Sequence, residues 1–357
     1  MSSCTSKDCG TETVAAEQLG SISLGEAAER MTESETTEDD QNEASAKLCS
    51  ACGEKSDTLM KCRACKCVWY CDKKCQNKHW KEHKKECKRI KEELDKRGGK
   101  LDLGEELDVG PLEKLPPREE CPICMHLLPL SQRLHKYLNC CGKSICSSCG
   151  FEHQLKNEES ALPRTCAFCR TAVPRSDEEY LVNLRKGVER KDPKALRNLA
   201  FDYGFGDRGL PMDQAKCIEL LRESADLGCP SAKAQLGNFY KFGQMGLEQN
   251  DEEALKYWEK AVKDGEVLTP YNLGCIEAEN GDHVAAMRHW RLAASGGMRM
   301  SMTNLIAYFE RGLLHHGDLA ETLQAMYLSK AELRSEDRNK YIVHLKMIGE
   351  YEDEMDM

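Results

Sequence analysis

The chain has 357 residues, of which 40% are apolar, 6% are aromatic and 31% are charged, and its formal net charge is −10. A chain of this length usually holds two or three domains, and so few aromatic residues argue against one large core. No apolar run approaches the roughly 18 residues of a membrane-spanning helix, and the N-terminus lacks the apolar stretch of a secretion signal. We therefore expect an intracellular protein, cytoplasmic or nuclear, and the negative charge argues against a general nucleic-acid binder.

Composition divides the chain into segments. Residues 1–47 carry eleven acidic and three basic residues and no aromatic one, which predicts a disordered acidic tail because little apolar surface is available for burial. The other predicted segments are a cysteine-rich domain at 48–97, a linker at 98–119, a second cysteine-rich domain at 120–172, helical repeats with a degenerate C-terminal copy at 176–350 and an acidic tail at 351–357. The predicted fold class is mainly α, a helix–turn–helix repeat solenoid preceded by two small domains, whose closely spaced cysteine pairs identify them as zinc-stabilised fingers.

Cysteine is the outlier of the composition, with 21 residues, and 16 of them lie between Cys49 and Cys169, mostly in closely spaced pairs. In a chain without a secretion signal this clustering indicates zinc ligation rather than disulfide bonds. The loops between the pairs are too short to form cores of their own, so metal binding supplies folding free energy. We predict four Zn²⁺ ions, two in each of two cysteine blocks.

The first cysteine block, residues 49–87, offers eight ligands in four pairs: Cys49, Cys52, Cys62, Cys65, Cys71, Cys75, His83 and Cys87. His83 and Cys87 are four residues apart, so a helix through residues 80–91 presents both on one face. The string from Tyr70 to Cys87, which includes Gln76 and Trp80, resembles the MYND zinc finger. That resemblance implies that alternate pairs share an ion: Cys49, Cys52, Cys71 and Cys75 hold one, and Cys62, Cys65, His83 and Cys87 hold the other. Cys67 lies outside the pattern.

MYND fingers dock short proline-rich peptides. The resemblance therefore implies that Tyr70, Gln76 and Trp80 line a peptide groove, with the alternative that Trp80 only packs the finger. MYND fingers also occur in lysine methyltransferases, but the rest of this chain is taken up by other segments, so no methyltransferase domain is expected. Lysines along the predicted helix, such as Lys73 and Lys81, are interpreted as a solvated face rather than a nucleic-acid site.

The second cysteine block, residues 121–170, again offers eight ligands: Cys121, Cys124, Cys140, Cys141, Cys146, Cys149, Cys166 and Cys169. Their order resembles a RING finger, although Lys143 stands where that family has a histidine, and an ammonium group cannot bind zinc. The adjacent Cys140 and Cys141 are therefore predicted to be ligands, and His135 or His153 completing the set is the alternative. The alternate-pair sharing of RING fingers implies two sets: Cys121, Cys124, Cys146 and Cys149, and Cys140, Cys141, Cys166 and Cys169.

RING fingers act by holding a ubiquitin-conjugating enzyme in a reactive geometry, which is catalysis by positioning. The resemblance implies that Ile123 and Phe168 make the apolar contact with that enzyme. It also implies that Arg170 hydrogen-bonds both the enzyme and ubiquitin. The block lacks the usual tryptophan before its last ligand pair, which leaves three apolar candidates for its place: Phe151, Leu155 or Leu162.

Internal repeats begin near residue 193. A shift of 37 residues superposes one copy on the next, pairing Gly228 with Gly265, and a shorter third copy aligns Trp290 with Trp258. The pattern resembles the Sel-one-like repeat, a relative of the tetratricopeptide repeat. Each copy predicts two helices whose apolar stripe only a neighbouring copy can cover, hence a solenoid with a surface for partner proteins. The two tryptophans are interpreted as core residues.

The sequence shows no catalytic triad, phosphate loop or cofactor fingerprint, and its modules are all recruitment devices. We predict a zinc-binding scaffold for protein–protein interaction that acts in ubiquitin transfer, as a ubiquitin-protein ligase or its scaffold. The second block would recruit the conjugating enzyme, and the first block and the repeats would recruit the client. The alternative is a non-catalytic adaptor that binds proline-rich peptides. Neither a nucleic acid nor a membrane is expected as a partner.

Overall fold

The computed structural model describes residues 48–56, 58–98, 107–114, 117–129 and 134–348. The acidic tails expected at 1–47 and 351–357 lie outside these residues. Within the described residues the protein is mainly helical, with twelve α-helices and four short strands, and the fold class predicted from the sequence is confirmed. None of these helices combines the length and the apolarity that crossing a bilayer requires.

The first cysteine block consists of a two-stranded hairpin and one long helix. Strands β1 (Met60–Lys61) and β2 (Trp69–Tyr70) pair antiparallel, and α1 (Lys73–Lys96) follows directly. Helix α1 begins after Asp72, whose carboxylate accepts a hydrogen bond from the Cys75 amide at 2.8 Å. This cap satisfies an amide that has no partner within the helix and so fixes where the helix starts.

The second cysteine block has a similar plan with a shorter helix. Strands β3 (His135–Leu138) and β4 (Lys143–Cys146) form an antiparallel hairpin, and α2 (Ser147–Glu159) begins directly after β4. The block has a small buried core made of four residues: Cys121, Leu128, Ile145 and Cys146. With so little apolar burial, metal binding has to supply most of its folding free energy.

The repeats are antiparallel helix pairs preceded by α3 (Asp177–Glu189). The three pairs are α4 (Pro193–Phe205) with α5 (Gln214–Asp226), α6 (Pro230–Phe242) with α7 (Asp251–Lys263), and α8 (Thr269–Glu279) with α9 (His283–Ser295). Trp258 and Trp290 are buried, as the sequence predicted. Each indole packs directly on a glycine, Gly237 and Gly274 respectively, where an added Cβ would overlap the ring. The glycine and the tryptophan of the repeat therefore form one packing unit.

Three further helices continue the array: α10 (Arg299–Glu310), α11 (His316–Glu332) and α12 (Glu336–Met347). Helix α9 packs against both α10 and α11, so the degenerate copy extends the solenoid.

The first block shares a hydrophobic core with the last helices. Val68, Ile90 and Leu94 belong to the same buried cluster as Phe309 and Leu323. Three ion pairs frame this contact: Arg89–Glu310 at 2.7 Å, Arg299–Glu86 at 3.4 Å and Arg334–Glu82. The first block is therefore packed onto the end of the helical array rather than tethered beside it.

Part of the segment predicted as a linker also packs on these helices. Leu107 forms a parallel bridge with Leu314, and its amide donates to the Leu313 carbonyl at 3.0 Å. Val109 is buried, and the carbonyl of Gly110 accepts from the Arg291 guanidinium at 2.6 Å. This stretch acts as a strap across α9 and the loop that precedes α11.

The second block contacts both ends of the array. The Tyr137 hydroxyl donates to Asp192 at 2.7 Å, just before α4. At the other end, the ring of Phe151 lies 4.5 Å from that of His344 in α12. Arg118, just before the block, donates both to the Leu128 carbonyl of the block at 3.2 Å and to Ser329 of α11 at 3.0 Å. The second block thus bridges the first and the last helices mainly through polar and ring contacts at its edges.

Candidate metal centres

Four groups of potential ligands lie together in the described residues, and in each group the donor atoms are all within 4.8 Å of one another. We name them site 1 (Cys49, Cys52, Cys71, Cys75), site 2 (Cys62, Cys65, His83, Cys87), site 3 (Cys121, Cys124, Cys146, Cys149) and site 4 (Cys140, Cys141, Cys166, Cys169). These groups are the sets that the MYND and RING resemblances imply.

Site 1 joins a tight turn to the start of α1. The Gly53 amide donates to the Cys49 carbonyl at 2.8 Å, which closes the turn that carries the first pair. The second pair flanks the α1 cap, so the cap at Asp72 also places Cys75. The Cys52 sulfur lies 3.5 Å from that of Cys71 and 3.9 Å from that of Cys75.

Site 2 joins the hairpin of the first block to the middle of α1. The Lys66 amide donates to the Cys62 carbonyl at 3.0 Å, and this turn carries Cys62 and Cys65. His83 and Cys87 are one helical turn apart, as the sequence predicted. The Cys62 and Cys87 sulfurs are 3.8 Å apart, and Nε2 of His83 lies 3.3 Å from the Cys65 sulfur. All four side chains are buried.

Sites 3 and 4 interleave in the second block. In site 3 the sulfurs of Cys121 and Cys149 are 3.9 Å apart, and those of Cys124 and Cys146 are 3.7 Å apart. In site 4 the Cys169 sulfur lies 3.4 Å from that of Cys140.

Adjacent ligands are possible in site 4 because Cys140 and Cys141 lie in the turn between β3 and β4. The amides of Cys141 and Gly142 both donate to the Leu138 carbonyl, at 3.1 and 2.8 Å, which tightens that turn. The alternative ligands His135 and His153 belong to none of the four groups. Nε2 of His153 lies 3.1 Å from the Thr165 hydroxyl instead.

These distances match tetrahedral zinc. Zn–S bonds of about 2.3 Å place two sulfurs about 3.8 Å apart, and a sulfur and a histidine nitrogen slightly closer. Six sulfur–sulfur distances within the four sites run from 3.4 to 3.9 Å, around that value, and all ligand atoms of a site lie within 4.8 Å of one another. Three-sulfur-one-nitrogen and four-sulfur donor sets are those of structural zinc sites, which have no open coordination position. The four groups are zinc-binding clusters that hold folds together rather than centres that activate water.

The three residues that the resemblance implies as the lining of a peptide groove differ in their exposure to solvent. The Trp80 side chain is 43% exposed and Gln76 is half-buried, but Tyr70 is 1% exposed. The Tyr70 hydroxyl is hydrogen-bonded to Nδ1 of His79 at 3.0 Å, and burial lowers the pKa of His79 to about 3, so the buried imidazole is neutral. A peptide can reach Trp80, whereas the Tyr70 ring is part of the interior.

The residues implied as contacts for a conjugating enzyme all lie at the surface of the second block. Ile123 is 42% exposed, Phe168 is 41% exposed, and Arg170 is exposed with its guanidinium 2.8 Å from Nδ1 of His153. Burial, assisted by the Arg170 charge, lowers the pKa of His153. Among the candidates for the missing tryptophan, Phe151 packs on α12, while Leu155 and Leu162 are exposed.

Two residues beside site 2 escaped the sequence analysis. Tyr327 and His316, both in α11, contact the ligand His83 and the backbone of the ligand Cys65. Tyr327 is 244 residues from His83 and His316 is 251 residues from Cys65, and no local spacing links positions so far apart. The sequence does show two adjacent histidines, His315 and His316, at the start of α11. No second pair of potential ligands lies near them in the sequence, so the sequence alone gave no reason to place α11 beside a zinc site.

Comparison with known proteins identifies two of the modules. A family model for the MYND finger matches residues 49–87, and a model for the Sel1 repeat matches residues 193–229, 230–266 and 271–298. A solved structure, the Sel1 repeat protein from Oxalobacter formigenes, is 29% identical with a TM-score of 0.32, over 35% of this chain and 96% of that one.

Curated relatives are similar over short stretches. The E3 ubiquitin-protein ligase DA2 of Arabidopsis thaliana is 40% identical over 81 residues, which is 23% of this chain and 17% of the ligase. The histone-lysine N-methyltransferase ASHR1 of the same plant is 45% identical over 49 residues, 14% of this chain and 10% of the enzyme. This chain therefore spans less than a fifth of either relative. Its MYND finger, three Sel1 repeats and four zinc-binding clusters identify a zinc-binding protein-interaction scaffold.

Proposed function

We propose that this scaffold acts in ubiquitin transfer, with the second block as a RING variant that holds a ubiquitin-conjugating enzyme. The observation that carries the proposal is the pair of open apolar side chains on that block, Ile123 and Phe168, each about two-fifths exposed. Exposed apolar residues on a small polar module favour a partner that covers them.

Both side chains lie in short loops that are flanked by zinc-ligand cysteines. Ile123 lies between the site 3 ligands Cys121 and Cys124, where the Met125 amide donates to the Cys121 carbonyl at 2.8 Å. Phe168 lies between the two ligands of the last pair, and its amide is 3.4 Å from the sulfur of Cys166. Loops tied to zinc on both sides are rigid, so a partner docks without an ordering cost in the loops.

Arg170 supports the same function. It follows the last ligand, Cys169, and it presents an exposed guanidinium. A planar fork of donors suits carbonyl groups of a bound enzyme and of ubiquitin, and holding both orients the reactants without covalent chemistry by the block itself. The similarity to the DA2 ligase agrees with this function over the stretch it covers.

Client selection falls to the MYND finger and the repeats. Trp80 offers an open indole on which a proline ring can stack. In the repeats, Phe205 and Phe242 are 37 residues apart and occupy the same place in successive copies, and both are exposed. Repeated apolar side chains on a solenoid are suited to an extended client segment.

The experiment is an autoubiquitination assay of the full chain with a panel of conjugating enzymes. We expect activity in the wild type and a loss of at least ten-fold in Ile123→Ala and in Arg170→Ala, with four zinc ions retained in each. Met212→Ala, at an exposed position in the repeats, is the matched control and should keep full activity. Absence of activity across the panel would overturn the proposal.

One contact favours the second candidate, a non-catalytic adaptor. The Lys143 ammonium lies 6.0 Å from the centre of the Phe168 ring and places a charge beside the apolar contact. In that case Trp80→Ala would weaken binding of proline-rich peptides to the protein, while no variant of the second block would change any activity.

A further inference from the structure

The histidine ligand of site 2 is held from outside the MYND finger. Nε2 of His83 faces the cysteine sulfurs, and its other ring nitrogen, Nδ1, lies 3.3 Å from the Tyr327 hydroxyl of α11. A histidine that binds metal through one nitrogen carries its proton on the other and donates it to an acceptor that fixes the ring. In this protein that acceptor comes from the helical array.

Tyr327 is built into its position. Its side chain is buried, and its ring packs edge-on against His79 at 4.1 Å and against His83 at 5.7 Å. The two histidines are stacked 5.8 Å apart on successive turns of α1. A buried ring wedged against both of them has no freedom to turn its hydroxyl away from His83.

A second residue of α11 holds the cysteine side of the same site. Nε2 of the buried His316 donates to the Cys65 carbonyl at 2.8 Å, and it lies 3.3 Å from the sulfur of Cys67. The Cys67 thiol also donates to that carbonyl, at 3.2 Å. The turn that carries Cys65 is therefore fixed by α11, and Cys67, which the ligand pattern left out, belongs to this contact.

We infer that Tyr327 and His316 are positioning residues for the zinc of site 2, so that retention of this ion and docking of α11 on the MYND finger stabilise each other. Helices α1 and α11 also share one buried hydrophobic core, and this core couples the position of α11 to the helix that carries His83 and Cys87. Because linkage is reciprocal, docking of α11 raises the zinc affinity of site 2 by the same factor by which the bound ion favours docking of α11.

The first test removes one hydroxyl. Tyr327→Phe keeps the ring and loses the bond to His83, so we expect one zinc ion of four to pass to a chromogenic chelator about 10–100 times faster than in the wild type. The matched control is Tyr308→Phe, which removes a tyrosine hydroxyl 3.0 Å from Nδ1 of His283, a histidine that binds no metal. All four release rates should stay unchanged in that control.

Two results of this test would overturn the inference. One is an unchanged release profile in Tyr327→Phe. The other is an equal acceleration of all four ions, which would show general destabilisation instead of a role at site 2.

The reciprocal test removes the ion. Cys87→Ser deletes a buried ligand of site 2, and we expect faster hydrogen exchange at the backbone amides of α11 while α5 keeps its protection. Cys169→Ser, at an exposed ligand of site 4, is the control and should leave α11 as protected as in the wild type. Unchanged protection of α11 in Cys87→Ser would contradict the inference, whatever the outcome for ubiquitin transfer.

Discussion

The MYND finger and the second block have similar local structures but pack differently against the helical array. Each has two sites of four ligands built around a short hairpin and a following helix. The MYND finger buries its apolar side chains, such as Val68 and Ile90, in a core that it shares with α9 to α11. The second block keeps a separate core of four residues and meets the helices through hydrogen bonds and ring contacts, including one from the buried Arg338 of α12 to the His126 carbonyl at 3.5 Å.

This difference in burial separates a zinc finger that is packed into the scaffold from one whose surface is accessible to a partner. Site 2 is buried on all four ligands and is hydrogen-bonded to Tyr327 and His316 of α11, so the finger closes the end of the solenoid. Terminal repeats need such a cover, because their outer apolar face has no neighbour. The second block instead leaves Ile123 and Phe168 open.

The largest effect is expected from zinc removal. Structural zinc contributes an apparent 10–16 kcal/mol to the folding of a finger, so a strong chelator should unfold both blocks. Sites 1 and 4 each have one buried ligand and site 2 has four, so we expect sites 1 and 4 to empty first and site 2 last. Native mass spectrometry over time would count the ions, with Cys169→Ser and Cys87→Ser to assign them. Loss of the site 2 ion before the ions of the second block would contradict the conclusion that the MYND finger is the more deeply buried of the two.

A smaller effect is expected from two matched core truncations. Ile90 of the MYND finger and Ile145 of the second block are both buried. Each change to alanine should lower the free energy of unfolding by about 2–5 kcal/mol, because it leaves a cavity. Ile90→Ala should also raise hydrogen exchange in α10 and α11, whereas the effect of Ile145→Ala should stay within its own block. If both variants raised hydrogen exchange in α10 and α11 equally, the two blocks would be coupled to the array to the same degree.

Much of this arrangement follows from local sequence. Ligand pairs two or three residues apart can only form turns that chelate one ion, and the i, i+4 spacing of His83 and Cys87 requires a helix. The 37-residue repeat predicts the helix pairs, and the packing of Trp258 on Gly237 explains why those two residue types recur together. These features depend on neighbours in the chain or in the adjacent copy.

The remaining features depend on contacts that no local pattern encodes. The Tyr70 ring lies inside, hydrogen-bonded to His79, whose own ring packs on Tyr327 of α11 at 4.1 Å, although the family resemblance implied a groove. The strap at Leu107–Gly110 was expected to be a linker, and it packs because Arg288 and Arg291 bond its carbonyls. Both outcomes are decided by which surfaces meet once the array has folded.

The smallest effect should come from the edge of the second block. Tyr137→Phe removes the hydroxyl that donates to Asp192 at 2.7 Å. The other carboxylate oxygen of Asp192 still caps α4 by accepting from the Lys194 amide at 2.9 Å, so the helix itself is preserved. A hydrogen bond to a charged group contributes about 1.5–3 kcal/mol when buried, and we expect the lower part of that range at this half-buried contact.

The measurement is hydrogen exchange at residues 135–146, which should rise by roughly ten-fold while the MYND finger is unaffected. Tyr240→Phe, which removes a hydroxyl bonded to Arg222 at 2.9 Å within the repeats, is the control and should leave residues 135–146 unchanged. If Tyr137→Phe instead accelerated zinc release from site 2, the two blocks would communicate through the array. The second block would then be as much a part of the scaffold as the MYND finger.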